Sequence, residues 1–138
     1  MAHDLDRFLA AQAHVYDDVL AELRSGRKTG HWIWFIFPQI DGLGRSEMSH
    51  HYAISSLDEA RAYLADPVLG ARLRECATAV LAIEGRTAEQ VFGSTDAMKL
   101  RSSMTLFQRA APGEPLFAAI LDRFFAGAAD PLTEALLA

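Results

Sequence analysis

The sequence contains a single cysteine, no recognisable signal peptide and no apolar run of membrane-spanning length. Each of these features argues against a class of protein. Cys76 is the single cysteine, so the chain cannot form an internal disulfide, and an intracellular, reducing compartment is the simpler interpretation. The amino-terminal stretch lacks the basic segment and following apolar segment of a signal peptide. The apolar run from Trp32 to Phe37 is far shorter than the roughly 20 residues that span a bilayer. We therefore predict a soluble, cytoplasmic protein without a membrane partner.

Positive charge is also scarce, which argues against nucleic acid as a partner. The formal net charge is -5, the pI is about 5.4, and no stretch forms an extended basic surface. One segment departs from this balance. Between positions 24 and 45, four cations oppose the single anion Asp41, a local excess of three positive charges; the cations are Arg24, Arg27, Lys28 and Arg45. This asymmetry indicates a small anionic ligand.

Metal-ligand spacing is nearly absent. Three of the five histidines are scattered through the chain. Glu47 precedes His50 and His51 by three and four residues, which resembles half of a carboxylate-bridged metal site. Such sites draw a carboxylate from each of several helices, and no second Glu-x-x-His occurs in the chain. We predict neither a metal nor any other cofactor.

Helix caps and breakers recur at intervals that fit helices throughout. The predicted helix starts are Ser46, Ser56 with Glu59, Asp66 with Pro67, Thr87 with Gln90, and Asp130 with Pro131. Apolar spacing predicts one helix from Asp4 to about Arg24, closed by Gly26. The run Trp32–Phe37 predicts a short buried helix that ends before Pro38. We predict an all-α fold, a single domain over residues 1–138 with seven or eight helices around that central helix.

Two stretches combine polar groups with apolar anchors. The first runs from Gly26 to Ser46 and contains both tryptophans; the second begins near Asp96 and continues as an apolar helical stripe. A domain of this size has one core, so the anchors should share it and bring their polar flanks together. In the alternative, the anchors meet while the polar groups point apart. The side chains expected around one concavity with an aromatic wall are Lys28, His31, Asp96, Lys99 and Ser103.

Side-chain chemistry suggests roles for these residues. Arg27 and Lys28 would hold an anion, and either tryptophan would stack on a ring. His31 or Asp96 would act as general acid or base. The other candidate ligand contacts are Trp32, Trp34, Gln39, Arg45, Ser46, Tyr52, Lys99, Ser102 and Ser103.

Several sequence blocks resemble the signature of a bacterial family, the domain of unknown function numbered eighteen-ten. The blocks are Gly26–Lys28, His31–Gln39, Gly42–Ser46, Tyr52, Tyr63–Leu64, Pro67–Gly70, Asp96–Leu100 and Ser102–Phe107. The resemblance implies an all-helical fold with one central helix surrounded by others, and it brings no established activity. The frequent label "calpastatin" carries no weight, because a calpain inhibitor is a disordered, polar chain whereas this composition folds. A more distant similarity to YbiA-like NADAR domains implies N-glycosidic chemistry on ADP-ribose and riboflavin intermediates, by analogy of fold alone.

Three functions of different classes are consistent with these residues. The first is an enzyme acting on a small phosphorylated or nucleotide-like metabolite, most sharply an N-glycosidase-like hydrolase of an ADP-ribose-type substrate. Its carboxylate would be Asp96, Asp41 or Glu47. The second is a non-catalytic module that binds the same small anion or nucleotide, and the third is a structural or interaction protein without a ligand. Turnover separates the first two, because only the enzyme releases product. We predict a monomer in each case.

Overall fold

The computed structural model describes residues 4–138, and these residues form nine helices. The helices are α1 (Asp6–Gln12), α2 (Tyr16–Ser25), α3 (Ile33–Ile36), α4 (Glu47–His51), α5 (Leu57–Ala65), α6 (Leu69–Leu81), α7 (Ala88–Ala110), α8 (Pro115–Phe125) and α9 (Pro131–Leu137). The all-α prediction is confirmed, with nine helices in place of the seven or eight expected. None of these nine helices has the combination of length and hydrophobicity that a bilayer span requires.

The predicted caps form because their side chains satisfy free N–H groups at helix starts. Ser46, Ser56 and Asp130 each accept a hydrogen bond from the backbone N–H three residues later. Thr87 and Gln90 form a reciprocal capping box at the start of α7. Glu59, expected to complete such a box with Ser56, instead accepts from the N–H of Ser55.

The amino-terminal helix is broken where the sequence predicts one continuous helix from Asp4 to about Arg24. The helix α1 ends at Gln12 and α2 begins at Tyr16. Between them the N–H of Ala13 donates to the Ala10 carbonyl, and the N–H of Val15 donates to the Gln12 carbonyl. The break lets α1 pack on α3 while α2 packs on α6. Tertiary packing therefore overrides the local helical pattern. Gly26 ends α2 in a left-handed conformation, as predicted.

The helices α3 and α7 hold the two stretches that the sequence singles out. Three of the four residues in α3, Ile33, Phe35 and Ile36, are buried, and Pro38 follows the helix. The long helix α7 packs against α3, α5, α8 and α9. Because α3 and α7 are in contact, the segments beside them come together. The buried apolar side chains of the described residues form one continuous cluster.

Two backbone features position the site. The helix α7 is kinked at Gly93, whose φ of 79° and ψ of 160° are not helical, so a second helical segment starts at Ser94. The segment after α3 is fixed by an isolated parallel bridge between Ile40 and Ile54. Within this bridge the Asp41 N–H donates to the Ile54 carbonyl at 2.8 Å. The loop between α3 and α4 is thereby tied to the start of α5.

Candidate functional site

The basic loop after α2 is folded around the carboxylate of Glu22. Its Oε1 accepts hydrogen bonds from the N–H groups of Thr29 and Gly30, at 2.7 and 2.8 Å, and from Nε1 of Trp32 at 3.0 Å. Burial of this carboxyl favours its neutral form, but the three donors outweigh burial and lower the pKa of Glu22. The sequence analysis missed Glu22, because nothing in the local pattern shows that the chain turns back onto it.

This loop directs Lys28 inward. Its backbone N–H donates to the carbonyl of Val91 on α7 at 2.8 Å, and its side chain is only 5% exposed. The ammonium lies 2.7 Å from Oδ2 of Asp96 and 4.9 Å from the centre of the Trp32 ring, and it also donates to the carbonyl of Gly30. The loop and the second segment of α7 therefore meet, and they do so through a buried ion pair.

Lys99 completes a lysine–aspartate cluster, which consists of Lys28, Asp96 and Lys99. The Lys99 ammonium lies 3.6 Å from Oδ1 of Asp96 and 4.7 Å from the centre of the Trp34 ring. Each lysine thus contacts one oxygen of the shared carboxylate and the face of one tryptophan, where an ammonium is electrostatically favoured. Two cations against one anion give the cluster a net charge of one positive. Lys99 is the more accessible lysine, with 22% of its side chain exposed against 5% for Lys28.

Beside the cluster lies a surface pocket of about 490 Å³, which we call the ligand pocket. Its lining residues are Gln39, Leu43, Gly44, Ser49, Ser94, Thr95, Met98, Lys99, Ser102, Asp130 and Leu132. Lys99 is the cation among these residues and Asp130 is the carboxylate, while the other polar groups are neutral. Lys28 and Asp96 lie behind Lys99 and do not line the pocket. The pocket therefore presents one ammonium, one carboxylate and several hydroxyl groups.

Asp130 is the second site residue that the sequence analysis missed, although its role as the cap of α9 was predicted. Its side chain is buried, and its Oδ2 accepts from the N–H and hydroxyl of Thr133, at 3.0 and 2.6 Å, and from the hydroxyl of Ser102 at 3.3 Å. All three bonds reach the same oxygen, and no hydrogen bond within the described part of the chain reaches Oδ1. The Asp-Pro pair signals a cap but not that the cap faces a cavity.

The remaining predicted site residues are dispersed over several parts of the structure. Ser102 lines the ligand pocket, whereas Ser103 is fully buried, with no hydrogen-bond partner for its hydroxyl among residues 4–138. Arg27 lines a separate surface cavity of about 460 Å³ with Arg86. Three of the predicted residues are exposed and belong to no cavity described here: His31, Arg45 and Ser46, the last being the cap of α4.

Trp34, Gln39 and Tyr52 line a much smaller compartment of about 10 Å³. It shares Gln39, Gly44 and Ser49 with the ligand pocket, so the two cavities adjoin. As for metals, the described residues contain no group of three or more His, Cys, Asp or Glu side chains that could hold an ion. The Glu47, His50 and His51 side chains are exposed on α4.

Comparison with known proteins identifies similar sequences and structures. The family described as "Protein of unknown function (DUF1810)" matches residues 2–137. Among solved structures, the crystal structure of the conserved hypothetical protein Rv1873 from Mycobacterium tuberculosis is 52% identical in sequence, with a TM-score of 0.96. The similarity covers 97% of this chain and 96% of the other. No curated protein matches the chain.

Proposed function

Since the chain belongs to the DUF1810 family of proteins of unknown function, as its sequence blocks predicted, we propose from the site itself that it binds a small anionic metabolite. The ligand is phosphorylated or nucleotide-like, and it occupies the ligand pocket beside Lys99. The distant similarity to NADAR domains stays a prediction, so it serves only to choose probes.

The observation that carries this proposal is the placement of Lys99 and the kink of α7 at one pocket. The second segment of α7 starts after Gly93, and its first residues, Ser94 and Thr95, line the pocket together with Lys99 one turn later. The start of a helix attracts anions through its free N–H groups and dipole, and an ammonium and two hydroxyl groups add donors there. A phosphate group is the ligand chemistry that uses all of them.

Of the two lysines, Lys99 is the one suited to bind the anion. The Lys28 ammonium is nearly fully buried and already has a carboxylate partner at 2.7 Å. Lys99 is nearer to solvent and holds the same carboxylate at the longer distance of 3.6 Å. In this arrangement Lys28 and Asp96 position Lys99 against Trp34, and of the two lysines only Lys99 would contact the phosphate. Asp96, predicted as a catalytic group, is here a positioning residue.

A second candidate function is hydrolysis of an N-glycosidic bond in an ADP-ribose-type substrate, and Asp130 favours it. Glycosidic cleavage needs a carboxylate held next to a centre that becomes oxocarbenium-like. Oδ2 of Asp130 is fixed by Ser102 and Thr133, and Asp130 lines the same pocket as Lys99, so its other oxygen would face the substrate. Water would replace the leaving nitrogen base, and Asp130 would stabilise the positive charge that develops on the sugar.

Isothermal calorimetry with ADP-ribose, ribose 5-phosphate and inorganic phosphate tests the binding proposal. We expect Lys99→Met to weaken binding of all three probes by at least about tenfold, because a charge-assisted hydrogen bond is lost. Arg61→Met, which removes an exposed cation outside every cavity described here, is the matched control and should bind normally. If Arg27→Met abolishes binding while Lys99→Met does not, the anion site lies at the Arg27 cavity and the proposal is wrong.

Chromatography of the bound ADP-ribose separates a hydrolase from a binding module. If the protein is a hydrolase, products accumulate with catalytic amounts of protein, and Asp130→Asn stops turnover while binding is largely retained. The asparagine can still cap α9, since Asn is as good a cap as Asp. Saturable binding without any product identifies a binding module.

A further inference from the structure

We propose that the compartment of about 10 Å³ beside the ligand pocket receives one uncharged oxygen atom of the ligand, which accepts a hydrogen bond from Nε1 of Trp34. The inference rests on the proposed function and narrows its ligand class. The ligand would then be a phosphate ester that carries a neutral hydroxyl or carbonyl oxygen, such as a sugar phosphate, and inorganic phosphate alone would leave the contact unmade.

The first step is the indole N–H of Trp34. Its nitrogen is buried, and none of the described residues provides an acceptor for it. An indole N–H can only donate, so the partner it lacks must be an acceptor, and a buried donor without one is unfavourable. The other tryptophan is different, because Nε1 of Trp32 donates to Glu22 at 3.0 Å. Of the two tryptophans, Trp34 is therefore the one whose N–H lacks an acceptor among the described residues.

The second step is the size and position of the compartment. Trp34 is one of its walls, and a volume of about 10 Å³ accommodates a single water-sized atom. It adjoins the ligand pocket along Gln39, Gly44 and Ser49. Trp34 also lies against Lys99, whose ammonium is 4.7 Å from the centre of its ring. One ligand can thus reach Lys99 with its phosphate and the compartment with a nearby oxygen.

The third step is the charge of the compartment. Asp41 is the charged residue in its lining, so a second anion there would be repelled. Ser49 accepts a hydrogen bond from the Ser46 hydroxyl at 2.9 Å, which leaves its own proton free to donate. Together with the Trp34 N–H, this gives two donors for one oxygen. A neutral hydroxyl or carbonyl oxygen fits this surrounding better than a phosphate oxygen does.

The test is to observe the two indole N–H groups by ¹⁵N–¹H NMR while D-ribose or ribose 5-phosphate is added. The Trp34 signal is identified through contacts to its own ring protons, and Trp34→Phe confirms the assignment if that variant folds. We expect both sugars to move the Trp34 signal downfield and to slow its hydrogen exchange. Trp32 should stay unchanged, because its N–H already has Glu22 as partner. Inorganic phosphate should not move the Trp34 signal.

The outcomes distinguish the proposed oxygen contact at Trp34 from the proposed anion binding at Lys99. If neither sugar changes the Trp34 signal, the inference is overturned, whether or not ribose 5-phosphate binds at Lys99. A Trp34 N–H that is strongly protected from exchange before any sugar is added, and indifferent to both sugars, means that the compartment holds an ordered water only. If the Trp34 signal still responds to D-ribose in Lys99→Met, and no phosphate compound binds the unmodified protein, the two proposals separate. The oxygen contact in the compartment is then supported, and the anion proposal is wrong.

Discussion

A single carboxylate, that of Asp96, lies between two ammonium groups in this protein. Lys28 reaches Asp96 from the loop after α2 and is almost fully buried, whereas Lys99 reaches it from the next turn of the same helix and is partly exposed. The first ion pair joins two distant segments of the chain, and the second is a local pair on one helix. The two pairs should therefore contribute very differently to stability, even though they share one residue.

Asp96→Asn is predicted to lower the free energy of unfolding by about 2 kcal/mol, because it leaves the buried Lys28 ammonium without a countercharge. Lys28→Met added to Asp96→Asn should restore much of that loss, giving a coupling energy of at least about 1 kcal/mol. Urea unfolding of the two single variants and the double variant measures it. The cycle between Lys99 and Asp96 is the control, and its coupling should stay below about 0.5 kcal/mol, as for other ion pairs three residues apart on one helix. Equal coupling in both cycles would contradict this ranking.

The sequence predicts part of this site but not all of it. Unusual composition marks the segments that carry Lys28 and Asp96, and the requirement for a shared core correctly indicates that those segments meet. The same reasoning cannot find Glu22 or Asp130, whose roles depend on where the chain turns back in space. Glu22 accepts from residues seven to ten positions later, and Asp130 reaches Ser102 on another helix. Sequence composition identifies unusual residues, whereas ordinary acidic residues gain their roles only from the fold.

At the scale of the element, the kink in α7 decides what the site contains. Thr87 starts the helix with a capping box, and Gly93 interrupts it, so that Ser94 and Thr95 begin a second segment at the ligand pocket. The sequence analysis predicted the cap from Thr87 and Gln90, and the break itself falls at a glycine, which the local sequence displays. It failed for the amino-terminal helix, where no glycine or proline marks the break between Gln12 and Tyr16. Breaks that local chemistry encodes can be predicted, and breaks imposed by packing cannot.

Two glycines with nearly the same φ should respond differently to substitution. Gly93 has φ 79° and ψ 160°, a region that is essentially restricted to glycine, whereas Gly26 has φ 79° and ψ 17°, in the left-handed helical region that Asn also visits. We expect Gly93→Ala and Gly93→Asn to destabilise equally, by about 1–3 kcal/mol. Gly26→Asn should be clearly milder than Gly26→Ala, which should cost about 1–2 kcal/mol. Thermal unfolding of the four variants provides the comparison.

Steric clash does not explain the expected loss at Gly93, because a Cβ atom there would have nothing within 4 Å among the described residues. Gly113→Ala is the control, since its Cβ would also lie in open space and its φ is not positive. That variant should be neutral or slightly stabilising. If Gly93→Asn proves much milder than Gly93→Ala, the kink adopts a left-handed helical conformation in solution, and the start of the second segment must be placed differently.

At the scale of the whole molecule, two titratable groups, Cys76 and Tyr63, are buried in the core, and a third, Tyr16, packs against it. Cys76 is fully buried on α6, with its sulfur 3.8 Å from the Tyr16 hydroxyl. Burial raises the pKa of the Cys76 thiol to about 12. Burial also raises the pKa of Tyr63 and that of Tyr16, where a hydrogen bond to Glu75 adds to the effect. All three groups are therefore held neutral by folding.

This arrangement predicts a loss of stability at alkaline pH that begins at the cysteine. The unfolded chain releases the thiol proton near its ordinary pKa of 9.0, whereas the folded protein keeps it until about 12, so unfolding becomes progressively easier between these values. In this range the Cys76 thiol lowers the free energy of unfolding by about 1.4 kcal/mol per pH unit. Unfolded tyrosines release their protons near 10.0, so Tyr16 and Tyr63 steepen the loss above that pH.

Cys76→Ser removes the thiol with little change of volume, and it should move the onset of the alkaline loss from about pH 9 to about pH 10, where only the tyrosines remain. The variant need not match the parent in absolute stability, because the prediction concerns the pH at which the decline begins. Urea unfolding of both proteins at intervals from about pH 7 to about pH 10.5 gives the two curves. The same onset in both proteins would contradict the prediction, because it would show that the Cys76 thiol contributes nothing to the alkaline loss of stability.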